Sequence, residues 1–181
     1  MHNGKRELQV RLRELVKNWN RVDRAFPSHS ELESTGRMLL KWKISEKIKG
    51  LWDDPPLLVS ATLDDGLGQG LRIINLFSEV AGLTVIPIGL LQPPEKIIDV
   101  CNMNSPDILG LTVLQFDSEE MILKIRREID PKIQIIAGGP VFAADSEFAE
   151  RTGVDFVAKN VASFLEYLFG DVGSFHRAMA F

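Results

Sequence analysis

Two hydrophobic periodicities divide the chain. Near the N-terminus, Leu8, Leu12, Leu15, Val16, Trp19, Val22 and Phe26 recur at three- and four-residue steps, with Lys, Arg and Glu between them. That spacing places an apolar stripe along one side of a helix. Pro27 breaks the pattern, and Ser30-x-x-Glu33 reads as a capping box for a second helix. Leu32, Leu39, Leu40, Trp42, Ile44 and Ile48 continue as a less regular amphipathic stretch to about Gly50. Asp53-Asp54-Pro55-Pro56 then forms a stiff boundary.

From Leu57 onward, short apolar runs alternate with helix-length segments. The strands predicted are Leu57–Thr62, Thr84–Ile88, Asp107–Leu114, Lys132–Ala137 and Asp155–Ala158. The helices predicted are Gly70–Val80, Pro94–Met103, Ser118–Ile129, Ala143–Thr152 and Val161–Phe169. Five β-then-α units of this kind imply a parallel sheet covered by helices on both faces. Continuous runs such as Leu57-Leu58-Val59 fit strands buried on both sides. The expected fold is α/β, a flavodoxin-like (Rossmann-like) five-stranded parallel sheet of order 2-1-3-4-5 with an N-terminal helical extension. Any ligand is then expected at the carboxyl ends of the strands. The domains expected are a helical leader over residues 1–55, the α/β domain over 56–170 and a C-terminal tail over 171–181.

Charge sharpens this division. The first 50 residues carry 12 Lys/Arg against 6 Asp/Glu, and the other 131 carry 9 against 19. A basic leader thus joins an acidic body. The leader's charges are spread around its helices without a nucleic-acid-binding motif, so a solvated or docking face is the favoured reading. At 181 residues and 45% apolar, the chain has enough material for a core, and its apolar runs stop far short of a membrane span. Cys101 is the only cysteine, which excludes an internal disulfide and Cys-based metal clusters carried by this chain alone. Its simplest role is that of a small buried residue. With no apolar signal core at the N-terminus, these features point to a cytoplasmic protein.

Candidate chemistry lies at the strand ends. After the first strand comes Leu63-Asp64-Asp65-Gly66-Leu67-Gly68-Gln69-Gly70, whose glycines permit close backbone approach to a ligand at a helix start. Thr112-Val113-Leu114 ends the third strand and Gly138-Gly139-Pro140 follows the fourth. Each is also what an ordinary tight turn looks like. The spacing matches neither a dinucleotide fingerprint nor a P-loop. Asp117, Glu119 and Glu120 read as the acidic first turn of a helix rather than a metal site. Trp19, Trp42 and Trp52 read as core positions of amphipathic segments.

Taken together, the three loops resemble the vitamin B12 (cobalamin) binding domain family. Its signature is Asp-x-His-x-x-Gly, about 41 residues, Ser/Thr-x-Leu, some two dozen residues, then Gly-Gly. Here Asp65-Gly66-Leu67-Gly68-Gln69-Gly70 is followed after 41 residues by Thr112-Val113-Leu114 and after 23 more by Gly138-Gly139. The resemblance covers about Pro56 to Phe169. It implies a slot beside the sheet for the cofactor's nucleotide tail. Gly138 and Gly139 would leave room for the benzimidazole, Thr112 would hydrogen-bond within the slot, and Gly70 would let the first helix begin beside the tail. The implied cofactor-binding residues are Asp65, Gly66, Leu67, Gly70, Thr112, Leu114, Gly138 and Gly139. The family's cobalt-ligating His is Leu67 here, and leucine has no lone pair to offer. Asp65 accordingly loses its task of orienting that ring. The histidines are His2, His29 and His176, all expected to be solvated.

The resemblance implies a carrier or accessory protein that binds cobalamin or a related corrinoid without a lower His ligand. Such a chain would serve methyl transfer with a partner enzyme, such as a methyltransferase or mutase subunit. No nucleophile–base pair or carboxylate dyad marks the chain as an enzyme by itself. The leader is too short for the four-helix cap of methionine-synthase-type carriers, which leaves an abbreviated cap or a docking and dimerisation arm. The alternative is a degenerate B12-binding-like domain, without cofactor, acting as an interaction or regulatory module. An inactive receiver-like domain, with Asp64, Asp65 and Lys159 but Thr112 where the phospho-acceptor would stand, belongs to the same alternative.

Overall fold

The predicted strands pair in a computed structural model that describes residues 2–170. They are β1 (Leu57–Thr62), β2 (Thr84–Gly89), β3 (Ile108–Thr112), β4 (Gln134–Gly138) and β5 (Phe156–Val157). Their order is β2-β1-β3-β4-β5, as the βα alternation predicts. The helices are α1 (His2–Trp19), α2 (His29–Ser45), α3 (Gln69–Ala81), α4 (Pro94–Asn104), α5 (Glu119–Glu128), α6 (Val141–Ala144), α7 (Phe148–Thr152) and α8 (Val161–Gly170). The expected tail over 171–181, with His176, lies outside the described residues. No helix among the described residues is long and apolar enough to cross a membrane.

The chain forms two compact units. One comprises Leu57–Arg72 and Val85–Lys159 and holds the sheet. Register within it is parallel throughout, with Thr62 opposite Thr112 and Thr112 opposite Gly138. Two aspartates pin the strand starts. Asp107 accepts the Leu57 N–H at 2.8 Å, and Asp155 accepts the Ile135 N–H at 2.7 Å. Alternate residues of the strands, among them Val59, Ala61, Leu109, Leu111, Ile135 and Ala137, join Ile97, Cys101, Ile122 and Ile125 of α4 and α5 in one apolar core. Cys101 is fully buried there, as expected.

The other unit gathers the described residues up to Pro56, Ile73–Thr84 and the described residues from Asn160. Helix α3 and strand β2 therefore each contribute to both units. Leu8, Leu12 and Val16 form the buried stripe of α1, and α1 packs on α8. Trp19 meets Phe77 of α3 edge-on at 5.4 Å between ring centroids. Gly36 of α2 lies so close to Leu76 that a Cβ would stand 2.6 Å from a leucine methyl. The buried Lys43 donates to the Glu79 carbonyl at the end of α3. The leader is thus part of a helical core shared with α3 and α8.

Three local expectations need correction. Helix α1 stops at Trp19, and Val22 is fully exposed, because a turn in which the Arg24 N–H donates to the Arg21 carbonyl replaces the next helical turn. The capping box is Ser28 with Glu31 rather than Ser30 with Glu33, since α2 starts directly after Pro27-Ser28. Glu33 instead bonds Arg37 one turn on. The single helix expected over Ala143–Thr152 is two short ones. Asp145 accepts the Glu147 N–H at 2.9 Å and breaks the run, which turns both Phe142 and Phe148 inward.

Candidate functional site

The loop after β1 is shaped by its two aspartates. Asp65 is 7% exposed, and its Oδ1 accepts the N–H groups of Leu67 at 2.8 Å and Gly68 at 3.0 Å. Its carbonyl accepts the Thr62 hydroxyl at 2.6 Å, and that hydroxyl in turn accepts the Leu91 N–H at 2.9 Å. Asp65 therefore holds the turn in shape, a task that sequence reasoning did not assign to it. Gly68 is favoured by its positive φ of 63°, and a Cβ there would also require the exposed Leu90 side chain to shift. Gly66 and Gly70 are exposed, and a Cβ at Gly70 would touch nothing within 4 Å. Leu67 is 73% exposed and points to solvent.

Asp64 reaches across to the end of β3. It accepts from the Leu114 N–H at 2.8 Å, the Gln115 N–H at 2.9 Å and the Ser118 hydroxyl at 2.8 Å. A carboxylate committed to three donors holds two loops together and is not free to serve as a phosphorelay acid. Lys159, the remaining receiver-like residue, is exposed.

The Gly138-Gly139 pair has a backbone explanation. A Cβ at Gly138 would stand 2.9 Å from the Ala158 carbonyl oxygen. At Gly139, φ is 139° and a Cβ would overlap the Val113 carbonyl oxygen. The Val113 N–H also donates to the Gly138 carbonyl at 2.9 Å. Glycine at both positions is thus what lets β4 leave the sheet between its neighbours.

The sheet face opposite the α4–α5 core changes character along its length. Leu58, Ser60 and Thr62 of β1, Ile108, Gly110 and Thr112 of β3, and Ile136 and Gly138 of β4 alternate with the core residues. Toward the carboxyl ends, large apolar side chains other than Ile136 give way to hydroxyls and glycines in two cross-strand rows. Ser60, Gly110 and Ile136 form the inner row, and Thr62, Thr112 and Gly138 the outer. The structure thereby brings Thr112 and Gly138 together and adds Ser60, which sequence reasoning missed. The signal was available: a serine sits amid Leu57-Leu58-Val59-Ser60-Ala61, two residues before Thr62. Ser60 has no exposed area, and its hydroxyl has no hydrogen-bond partner among the described residues. An orphaned buried hydroxyl costs about 1–3 kcal/mol.

The rim beyond these rows carries exposed apolar side chains alongside the exposed Gln69, Gln115 and Asp117. Leu67, Leu90, Leu91, Leu114 and Phe116 are exposed on the loops that follow β1, β2 and β3. His29 is exposed at the start of α2, in the other unit. No group of three or more His, Cys, Asp or Glu among the described residues could hold a metal ion. Glu119 and Glu120 open α5, while Asp117 lies in the 3-10 turn before it, in accord with an acidic helix start.

Comparison with known proteins agrees with this layout. A solved cobalamin-binding protein from Desulfitobacterium hafniense superposes with a TM-score of 0.78 at 18% identity, covering 93% of this chain and 83% of that one. Coverage that wide extends beyond the sheet to the N-terminal helices. The monomethylamine corrinoid protein of Methanosarcina barkeri matches with a TM-score of 0.57 at 16% identity, over 76% of this chain and 65% of its own. In sequence, the 2-hydroxyisobutanoyl-CoA mutase small subunit of Aquincola tertiaricarbonis is 27% identical over 94 residues, which is 50% of this chain and 69% of that protein. The family model for the B12 binding domain matches residues 57–163, from the first residue of β1 into α8, and the chain belongs to that family.

Proposed function

We propose that the chain binds a cobalamin-type corrinoid as a carrier or accessory subunit, and that the loop after β1 offers no ligand to the cobalt. Family membership supports the ligand class. The observation that carries the reading is the half-buried Thr112 at the carboxyl end of β3, on a sheet face where, one row further in, the Ser60 hydroxyl is fully buried and unpartnered. Such a face suits a flat nucleotide base that brings its own hydrogen-bonding groups. Thr112 would hold the base. Gly66 and Gly70 would admit the nucleotide to the helix start, and the exposed Leu67 and Leu114 would face the corrin. Bound there, the corrinoid would supply alkyl-transfer or radical chemistry at its metal, which this chain's own side chains do not provide.

The chain's part is then to bind, orient and present the group. A partner subunit would supply the substrate site, consistent with similarity to the small subunit of a mutase and to a corrinoid protein. Methyl transfer with a partner enzyme is the favoured reaction class.

A cofactor-free interaction module is the competing reading. It is favoured by the cluster of exposed leucines and Phe116 on the rim, which would equally suit a protein partner. Incubation with cobalamin followed by gel filtration separates the two. Retention of the corrin, with the visible spectrum of a base-off cofactor lacking a histidine ligand, is the expected result. No retained corrin at tens of micromolar overturns the carrier reading.

A further inference from the structure

The two rows on the sheet face differ in depth, and the difference bears on which corrinoid the chain takes. Thr112 lies in the outer row, at the carboxyl end of β3, and Ser60 lies one row further in. Two residues along a strand amount to about 7 Å, a span comparable to the length of a bicyclic base. A base whose near edge meets Thr112 therefore brings its far edge to Ser60. Gly110, the register partner of Ser60, has no side chain, and Leu58 covers it, with Cδ1 3.3 Å from where a Cβ would stand, so Leu58 must move aside for a base to reach Ser60; Ile136 supplies the other apolar flank of the row.

The far edge of dimethylbenzimidazole carries two methyl groups. Against those, the Ser60 hydroxyl would stay as it is in the free protein, buried and without a partner. The six-membered ring of adenine instead carries a ring nitrogen and an exocyclic amino group, which can accept from or donate to a serine hydroxyl. We propose that Ser60 reads the far edge of the lower base, so that the chain prefers corrinoids with an adenine-type base over cobalamin itself. This deepens the corrinoid reading and rests on it. Ser60 has no exposed area, so the base reaches it only after local opening of this face.

The test is a spectroscopic titration of the full chain with three probes: cobalamin, its adenine-containing analogue pseudocobalamin, and cobinamide, which has no nucleotide. The wild-type chain should bind pseudocobalamin roughly tenfold more tightly than cobalamin, the difference made by one satisfied buried polar group. Ser60→Ala should bring that ratio close to one, mainly by weakening pseudocobalamin, and should leave cobinamide binding unchanged. Because the substitution deletes an unpartnered hydroxyl, its thermal unfolding midpoint should not fall, which separates a specificity change from a folding defect. Equal or tighter binding of cobalamin by the wild type, or a preference that survives Ser60→Ala, overturns the assignment of Ser60 while leaving the corrinoid reading intact. Failure of all three probes to bind overturns both.

Discussion

The Asp64 carboxylate accepts a hydrogen bond from the Ser118 hydroxyl at 2.8 Å, joining positions 54 residues apart in sequence. With the Leu114 and Gln115 N–H groups on the same carboxylate, this contact fixes the loop after β3 to the loop after β1. The two loops that carry Leu67 and Leu114 are thus held as one edge. Asp64→Ala should cost about 2–3 kcal/mol, because two amides lose a charged acceptor at once. Ser118→Ala, which removes only one of three donors, should cost about 1 kcal/mol. Urea unfolding midpoints of the two variants at constant m-value check the order, and equal costs would show that the amides contribute nothing.

Leu67→His addresses the missing ligand. Leu67 is largely solvated, so the substitution should change folding stability by no more than about 0.5 kcal/mol. Both amide bonds to Asp65 fall on Oδ1, which leaves Oδ2 to orient an introduced imidazole. If a corrinoid binds at this edge, the variant should hold cobalamin roughly tenfold more tightly, the scale on which ligand sets and their orienting partners act. The visible spectrum should shift to that of a histidine-ligated cobalt. An unchanged spectrum at saturating cofactor would place the cobalt elsewhere.

Burial pushes the Cys101 thiol up to about 11. At pH 8 the folded chain should accordingly resist a disulfide exchange reagent that labels the urea-unfolded chain within minutes. The sign of the stability effect follows from the same shift. The unfolded thiol ionises near its ordinary value while the folded one stays protonated, so this contribution is fully present below about pH 9 and is lost between there and about pH 11. Cys101→Ala should remove that part of the alkaline loss, as read from unfolding midpoints across the window.

Sheet order, strand β1 and the long helices were legible because they depend on local periodicity and on the βα alternation. Strand β1, Leu57–Thr62, has the bounds its apolar run predicts. What sequence did not disclose depends on contacts made across the fold. The periodicity of α1 continues through Val22 and Phe26, yet the helix ends at Trp19 in a turn that runs from Arg21 to Arg24. Two Ser-x-x-Glu pairs compete to cap α2, and only the position of the helix start selects Ser28. Asp64 and Asp65 are adjacent in sequence and have unrelated tasks, because one side chain turns to its own loop and the other to β3. Gly138 and Gly139 looked like space left for a ligand, but Ala158 and Val113 show that the backbone itself requires them.

That last point yields a contrast between two glycines of the signature. Gly139→Ala forces a Cβ onto the Val113 carbonyl at a positive φ, and should cost at least about 3 kcal/mol or prevent folding. Its loss of corrinoid binding would therefore say nothing about the ligand. Gly70→Ala is different. It lies in the first turn of α3 with open space around its Cβ and no positive φ, so alanine should stabilise the free chain by up to about 1 kcal/mol through helix propensity. The protein has no need of glycine there for its own fold. If the nucleotide passes close to the start of α3, Gly70→Ala should weaken cobalamin binding while raising the thermal midpoint. Binding unchanged alongside a raised midpoint would remove Gly70 from the site and turn attention to the rows of Ser60 and Thr112.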